Sequence, residues 1–215
     1  MKPNITTDSF GPGRHSWLSL SKILIAAVLT ATVLAQTARA GNPNALGWGY
    51  NGHGQSTVPA LPSGEKYTQL SGGNYTSLGL SSGGTISTWG DNSWGQRNVP
   101  ALPAGITYIA VAAGEHHSLA LRSDGTIAAF GYNGNGQCNV PGLPAGVTYT
   151  AIAAGYQHSV ALRSDGQAVA FGYNGNGQIN VPGLPAGVTY TRIAAGYNHT
   201  LLLRSDGAVV GFGYN

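Results

Sequence analysis

Five series of residues recur along this chain at a spacing of 41. Gly73, Gly114, Gly155 and Gly196 form one, and His117, His158 and His199, with Thr76 in the earlier slot, form a second. Trp48, Trp89, Phe130, Phe171 and Phe212 make a third, Gln55, Gln96, Gln137 and Gln178 a fourth, and Pro59, Pro100, Pro141 and Pro182 a fifth. So many registers in step restrict the fold to a tandem array, in which each unit buries its apolar face against its neighbours. Counted from Trp48, the units run 48–88, 89–129, 130–170 and 171–211, and a fifth begins at 212–215.

The unit 130–170 shows how each copy is built. Gly131-Tyr132-Asn133-Gly134-Asn135-Gly136-Gln137 is a turn, because Asn and Gly tolerate the positive φ that such turns need. Val140-Pro141 predicts a short strand, and Leu143-Pro144-Ala145-Gly146 a second turn. Strands are expected over Val147–Ala153, His158–Arg163 and Gln167–Phe171, with Ser164-Asp165-Gly166 as a tight hairpin between the last two. About four strands in each 41-residue unit is the arithmetic of a β-propeller blade. A solenoidal β-helix uses shorter coils, and a sandwich does not repeat itself so closely. Outside the first forty residues there is no helical periodicity, which agrees with 34 Gly, 11 Pro and only 8% charged residues. The expected fold is all-β, a propeller of about four blades, partial, open or truncated.

The string Ala153-Ala154-Gly155-Tyr156-Gln157-His158-Ser159-Val160-Ala161-Leu162, then Asp165-Gly166 and Phe171-Gly172-x-Asn174-x-x-Gly177-Gln178, resembles the regulator-of-chromosome-condensation repeat. The resemblance covers about residues 46–215. It implies a propeller scaffold, commonly of seven blades, whose founding member is a nuclear exchange factor for a small GTPase. Exchange activity is therefore an expectation by analogy alone, since it resides in loops of a complete ring for which no counterpart is visible. The local string Gly136-Gln137-Cys138-Asn139-Val140-Pro141 departs from the eukaryotic Gly-Gln-Leu-Gly continuation and is similar to secreted bacterial propellers of the superfamily. Four units do not fill a seven-bladed ring, so an open arc, a four-bladed ring, a truncated product and a protomer that closes by assembling all remain open.

The first forty residues follow other rules. Arg14 and Lys22 precede the apolar run Ile23–Ala35, and Ala38-Arg39-Ala40 supplies a small-x-small end. This is the anatomy of a secretory signal peptide cleaved after Ala40, with an uncleaved anchor as the alternative. A leader over 1–40 and a propeller domain over 41–215 make the protein secreted, whether extracellular, periplasmic or at the cell surface. The leader holds Lys2, Arg14, Lys22 and Arg39 against Asp8. The formal charge of +3 thus belongs to the leader, and the remainder is neutral with a single lysine, Lys66. A phosphate-tracking surface needs clustered Lys and Arg, so a nucleic-acid partner is not expected.

Repetition also argues against most chemistry. One His in each blade is spread around a ring, whereas zinc ligands must converge to about 2.0–2.1 Å from the metal. Each His is expected to hydrogen-bond backbone within its own blade. Ser118, His117 and Asp124 contain the ingredients of a triad, but Asp124-Gly125 is already explained as a turn. The Asn-x-x-Gly-Gln segments lack the carboxylates that calcium prefers and are expected to satisfy turn backbone. Cys138 stands where other copies carry Ser56, Arg97 and Ile179, which marks a tolerant position rather than a site. No cofactor, no metal and no enzymatic activity are expected.

What varies inside the fixed frame carries the information. Asn74-Tyr75, Glu115-His116, Tyr156-Gln157 and Tyr197-Asn198 follow the repeated Gly. Tyr50, Asp91, Tyr132, Tyr173 and Tyr214 share one further slot, and His53, Trp94, Asn135 and Asn176 another. On loops, these positions would line up on one face, and Tyr and Trp bury large areas with few rotors. Packing between blades is the equal alternative for the Tyr residues. Tyr75, Trp94, Glu115, His116, Tyr156 and Tyr197 are the candidate binding residues for a protein or glycan. Self-association of blades between chains is the second expectation.

Overall fold

The computed structural model describes residues 45–215, so the leader and its cleavage point lie outside the described residues. Twelve strands follow in order: β1 Tyr67–Gly72, β2 Thr76–Ser81, β3 Ile86–Gly90, β4 Tyr108–Ala113, β5 His117–Arg122, β6 Ile127–Gly131, β7 Tyr149–Ala154, β8 His158–Arg163, β9 Ala168–Gly172, β10 Tyr190–Ala195, β11 His199–Arg204 and β12 Val209–Gly213. They form four three-stranded antiparallel sheets, each an up-and-down meander of consecutive strands. These are four successive blades of a partial β-propeller. The first strands β1, β4, β7 and β10 approach one another in sequence along the inner side of the arc.

Local chemistry fixes the hairpins. Gly166 turns with φ 79°, and Asp165 Oδ1 accepts the Gln167 N–H at 3.2 Å. The first blade has Gly83-Gly84 there, and Ser81 Oγ accepts the Gly83 N–H at 3.2 Å instead. Each first strand carries a bulge, as between Tyr149 and Ala151 against β8. The extra residue Thr150 turns its hydroxyl to the Leu162 carbonyl at 3.3 Å.

The short strand expected near Val140 does not form, and the blades have three strands rather than about four. Pro141 and Pro144 have no N–H to give a ladder, so the segment runs extended without sheet pairing. A side chain holds it: the Tyr149 hydroxyl donates to the Pro141 carbonyl at 2.7 Å. Tyr108, Tyr190 and Tyr67 do the same to Pro100, Pro182 and Pro59 at 2.6, 2.8 and 3.1 Å. The linker is thereby pinned so that Val140 and Leu143 pack onto the core beside Leu119, Leu121 and Tyr149.

The core lies between blades, not within them. On β5, Ala120 packs with Leu78 and Leu80 of the first blade, while Leu119 and Leu121 pack with Tyr149 and Ala161 of the third. Both faces of each inner blade are therefore apolar, and β5 and β8 read as nearly continuous buried runs.

Polar links run through the same seams. The expectation that each His bonds backbone in its own blade is incorrect. His117 Nε2 lies 2.9 Å from Ser159 Oγ, and His158 Nε2 lies 3.0 Å from Thr200 Oγ1, each on the following blade. Those hydroxyls donate to the Gln137 and Gln178 carbonyls at 2.8 Å, so each imidazole must be the donor through Nε2–H. The repeat spacing places His117 and His158 each against the next blade's hydroxyl across the seam.

Two close approaches require glycine. A methyl group on Gly155 would lie 2.2 Å from His158 Cε1 and 2.5 Å from the Gly196 carbonyl oxygen. A methyl group on Gly142 would meet no atom within 4 Å. Gly155→Ala should therefore cost about 1–3 kcal/mol by overpacking. Gly142→Ala should add roughly 0.4–1 kcal/mol by restricting the unfolded chain. Urea midpoints of the two variants check this opposite pair of signs.

Candidate functional site

The six candidate binding residues all fall on one face, where the loops between the first and second strands of each blade meet the turns that follow each third strand. The two loop positions after the repeated Gly separate into two rows. Asn74, Glu115, Tyr156 and Tyr197 occupy equivalent positions and line a cavity of about 290 Å³ at the inner end of the first strands. Its remaining wall includes Gly73, Gly114, Gly155 and Gly196. A methyl on Gly73 would come within 2.1 Å of the Gly114 oxygen, so only glycine lets the loops stand this close. A backbone ladder joins them: Glu115 N–H donates to the Tyr156 carbonyl at 3.3 Å and Tyr156 N–H to the Tyr197 carbonyl at 3.1 Å.

In this inner row the Tyr156 and Tyr197 rings stack with centroids 3.8 Å apart. The neighbouring Glu115 carboxylate, and after it the Tyr197 hydroxyl, holds the Tyr156 phenol well above its ordinary value, so it stays protonated as a donor. Glu115 is buried, while Tyr197 is exposed. Glu115 also sits 3.4 Å from His116 Nε2 and accepts a long 3.5 Å contact from Gln157 Nε2.

The second loop residues, Tyr75, His116 and Gln157, form an outer row and meet the turn residues His53, Trp94 and Asn135 radially. His53 and Tyr75 have ring centroids 4.9 Å apart, and Trp94 and His116 6.0 Å. Asn135 Nδ2 donates to Gln157 Oε1 at 3.2 Å. Along the row, Tyr75 stacks on His116 at 6.3 Å, and Trp94 meets Tyr132 edge-on at 4.8 Å. The result is a continuous aromatic run Tyr50–His53–Tyr75–His116–Trp94–Tyr132 over the first two blades. Beyond it the face turns to amides. Tyr75, Trp94 and His116 are thus brought together, Glu115, Tyr156 and Tyr197 are brought together, and the Glu115–His116 pair joins the groups.

Tyr132, His53, Asn135 and Gln157 join the site although the candidate set omits them. The signal for His53, Asn135 and Gln157 was their repeat phase: residues 22 apart, 53 with 75, 94 with 116 and 135 with 157, meet across the face in successive blades. The slot-sharing Tyr50, Tyr132 and Tyr173 fold back over their own turns, so that a methyl on Gly52, Gly134 or Gly175 would lie 2.2, 2.2 or 2.1 Å from the phenol oxygen.

The turn amides serve the backbone. Gln137 Oε1 accepts the Asn135 N–H at 3.0 Å, and Asn133 Oδ1 accepts the Cys138 N–H at 2.8 Å. Ser118 Oγ donates to the Gln96 carbonyl at 2.8 Å and Asp124 bonds Thr126, so His117, Ser118 and Asp124 do not converge as a triad. Burial pushes the Cys138 thiol up to about 11, which keeps it a thiol rather than a nucleophilic thiolate at neutral pH.

Short meandering blades packed flank to flank, with variable loops gathered on one face, define a β-propeller scaffold. The regulator of chromosome condensation (RCC1) repeat matches residues 108–137, 149–178 and 190–215, so the chain carries three copies of this repeat. Solved structures share the fold. Prp20p from Saccharomyces cerevisiae is 25% identical, with a TM-score of 0.63, over 77% of this chain and 52% of that one. Human WBSCR16 is 23% identical, with a TM-score of 0.64, over 77% and 55%. The ectodomain of the receptor kinase CR4 from Physcomitrella patens is 26% identical, with a TM-score of 0.56, over 71% and 43%. The chain spans about half the length of these structures or less. No curated protein matches it.

Proposed function

We propose that the chain is a non-catalytic protein-binding module that uses the loop face, with Tyr75, Trp94 and His116 as anchors and Glu115, Tyr156 and Tyr197 as the polar inner pocket. The observation that carries this reading is the aromatic run, which leaves Trp94 52% and Tyr75 36% exposed on a rigid scaffold. Aromatic side chains of this kind are the usual anchors of protein interfaces. The similar Prp20p binds Gsp1p and histones, which supports a protein over a glycan as the partner class. The leader motif supports export, so the partner is sought outside the cytoplasm. Trp94→Ala and Tyr75→Ala should each weaken the captured partner by about 2 kcal/mol while leaving the unfolding midpoint unchanged. Affinity capture with the full chain and the double variant tests this. Undiminished capture by the double variant, or binding to a glycan panel alone, overturns the protein reading.

A second reading, association between chains, draws on the outer flank of the fourth blade. Leu201 is 42% exposed and Val209 64%, whereas their equivalents Leu119 and Ile127 are 0% and 9% exposed under the next blade. This flank has the chemistry of a blade-receiving surface. A concentration-independent monomer mass for the full chain would remove this reading.

A further inference from the structure

Glu115 is a carboxylate in an unusual position. It is 8% exposed, yet the described residues place no lysine or arginine against it. Buried carboxylates are almost always paired. Besides the Tyr156 phenol that faces it as a donor, its side-chain contacts are His116 at 3.4 Å and Gln157 at 3.5 Å, both long, so its oxygens keep acceptor capacity for a closer donor. The cavity beside it is lined by Ala113, Ala154 and Ala195 at its apolar floor and by the stacked Tyr156 and Tyr197 at its rim. No basic residue is in that lining. Tyrosine rings attract a cation to their faces, and a carboxylate in a place shielded from water strengthens that attraction.

We propose that this axial pit takes an ammonium or guanidinium group carried on an alkyl stem, as on a lysine or arginine side chain of the partner. The stem would lie along the alanine floor and the tyrosine rings, and the head group would reach Glu115. A stem is needed because the floor is apolar. A charged head is needed because, among the described residues, no lysine or arginine pairs with the carboxylate and its ion-pair contact is the histidine His116 at 3.4 Å. The inference rests on the binding-face reading and names what that face recognises at its centre. Phosphate, sulfate and carboxylate ligands are disfavoured at the same place by the Glu115 charge.

The test uses the full chain and three capped tripeptides, Gly-Lys-Gly, Gly-Arg-Gly and Gly-norleucine-Gly, titrated by NMR at low salt. The cationic peptides should bind with a dissociation constant on the order of 1 mM, and the norleucine peptide at least about 10-fold more weakly. Raising the salt should weaken the cationic peptides and leave the norleucine peptide unchanged. Glu115→Gln, which preserves shape, should lose at least about 10-fold for the Lys peptide, about 1.4 kcal/mol by the same scale. Should that variant not fold, Tyr197→Ala alters an exposed ring and should lose severalfold. Ile109→Ala, at an exposed side chain outside the cavity lining, should leave tripeptide binding within about 2-fold. Equal binding of n-butylammonium assigns the pit to free amines, and tighter binding of the peptide assigns it to a side chain. Equal affinity for the norleucine and lysine peptides, or wild-type affinity in folded Glu115→Gln, overturns the inference. Protein capture that survives in Glu115→Gln but fails in the Trp94 and Tyr75 variants would leave the wider face intact and sink only the cation pit.

Discussion

Acidification from pH 7 to pH 4 should destabilise the folded domain by several kcal/mol, with most of the loss above the range where carboxylates titrate. The cause is the pair His117 and His158, which lie in successive seams and are 1% and 0% exposed. Burial first, and then the neighbouring His158 and His116, pulls His117 from 6.5 down to about 4. Burial and then His199 do the same to His158. Each imidazole already donates through Nε2, and its Nδ1 has no partner, so a second proton would be buried without an acceptor. The folded pKa lies below the unfolded one, so the unfolded state binds more protons between these values. Stability is fully present above pH 6.5, falls as the pH drops toward 4, and levels off below. A depression of this size is worth on the order of 3 kcal/mol for each group. Urea midpoints measured from pH 7.5 to 4 give the curve. His158→Gln should cut the slope in that window to about half, and an unchanged slope would mean that neither imidazole titrates as the seam geometry requires.

Leu119→Ala should cost about 2–5 kcal/mol, whereas Leu201→Ala, at the same repeat position, should cost less than about 1 kcal/mol. Leu119 is 0% exposed in the seam between the second and third blades, where removing its branch leaves a cavity that β7 and β8 cannot close. Leu201 is 42% exposed, so water already reaches the volume that the substitution would vacate. The pair is informative because the sequence environment is nearly the same and only the neighbouring blade differs. Chemical denaturation of both variants at low protein concentration decides it. Equal costs would show that the fourth blade's flank is covered in solution, and would favour association between chains.

The repeat made the fold legible before any coordinates. Asp165-Gly166 predicted its hairpin, and the expected strand His158–Arg163 is the observed β8. These features are local: positive φ at a glycine and a run of β-formers depend on few neighbours. Val140-Pro141 misled because Val is a strand former. The missing proline N–H and the Tyr149 hydroxyl, which reaches back from the start of the next strand, settled the segment as an extended linker. The His series misled for a related reason. Repetition pointed to a scaffold role for the series, but not to the hydroxyls 42 residues later that partner His117 and His158.

The candidate site divides in the same way. The variable positions inside the fixed frame were visible in the sequence, and all six candidates lie on one face. The sequence left packing and presentation as equal alternatives for the tyrosines, and only the arrangement of the blades separates them. Neighbouring loop residues point to different rows, so Glu115 lies in the axial cavity while His116 stands in the aromatic run. By itself the sequence determined the repeat, the strands, the turns and which positions are free to vary, because these follow from short-range propensity and periodicity. The tertiary structure alone decided what faces the seam, the axis and the solvent, because those contacts join residues about one repeat apart in the chain.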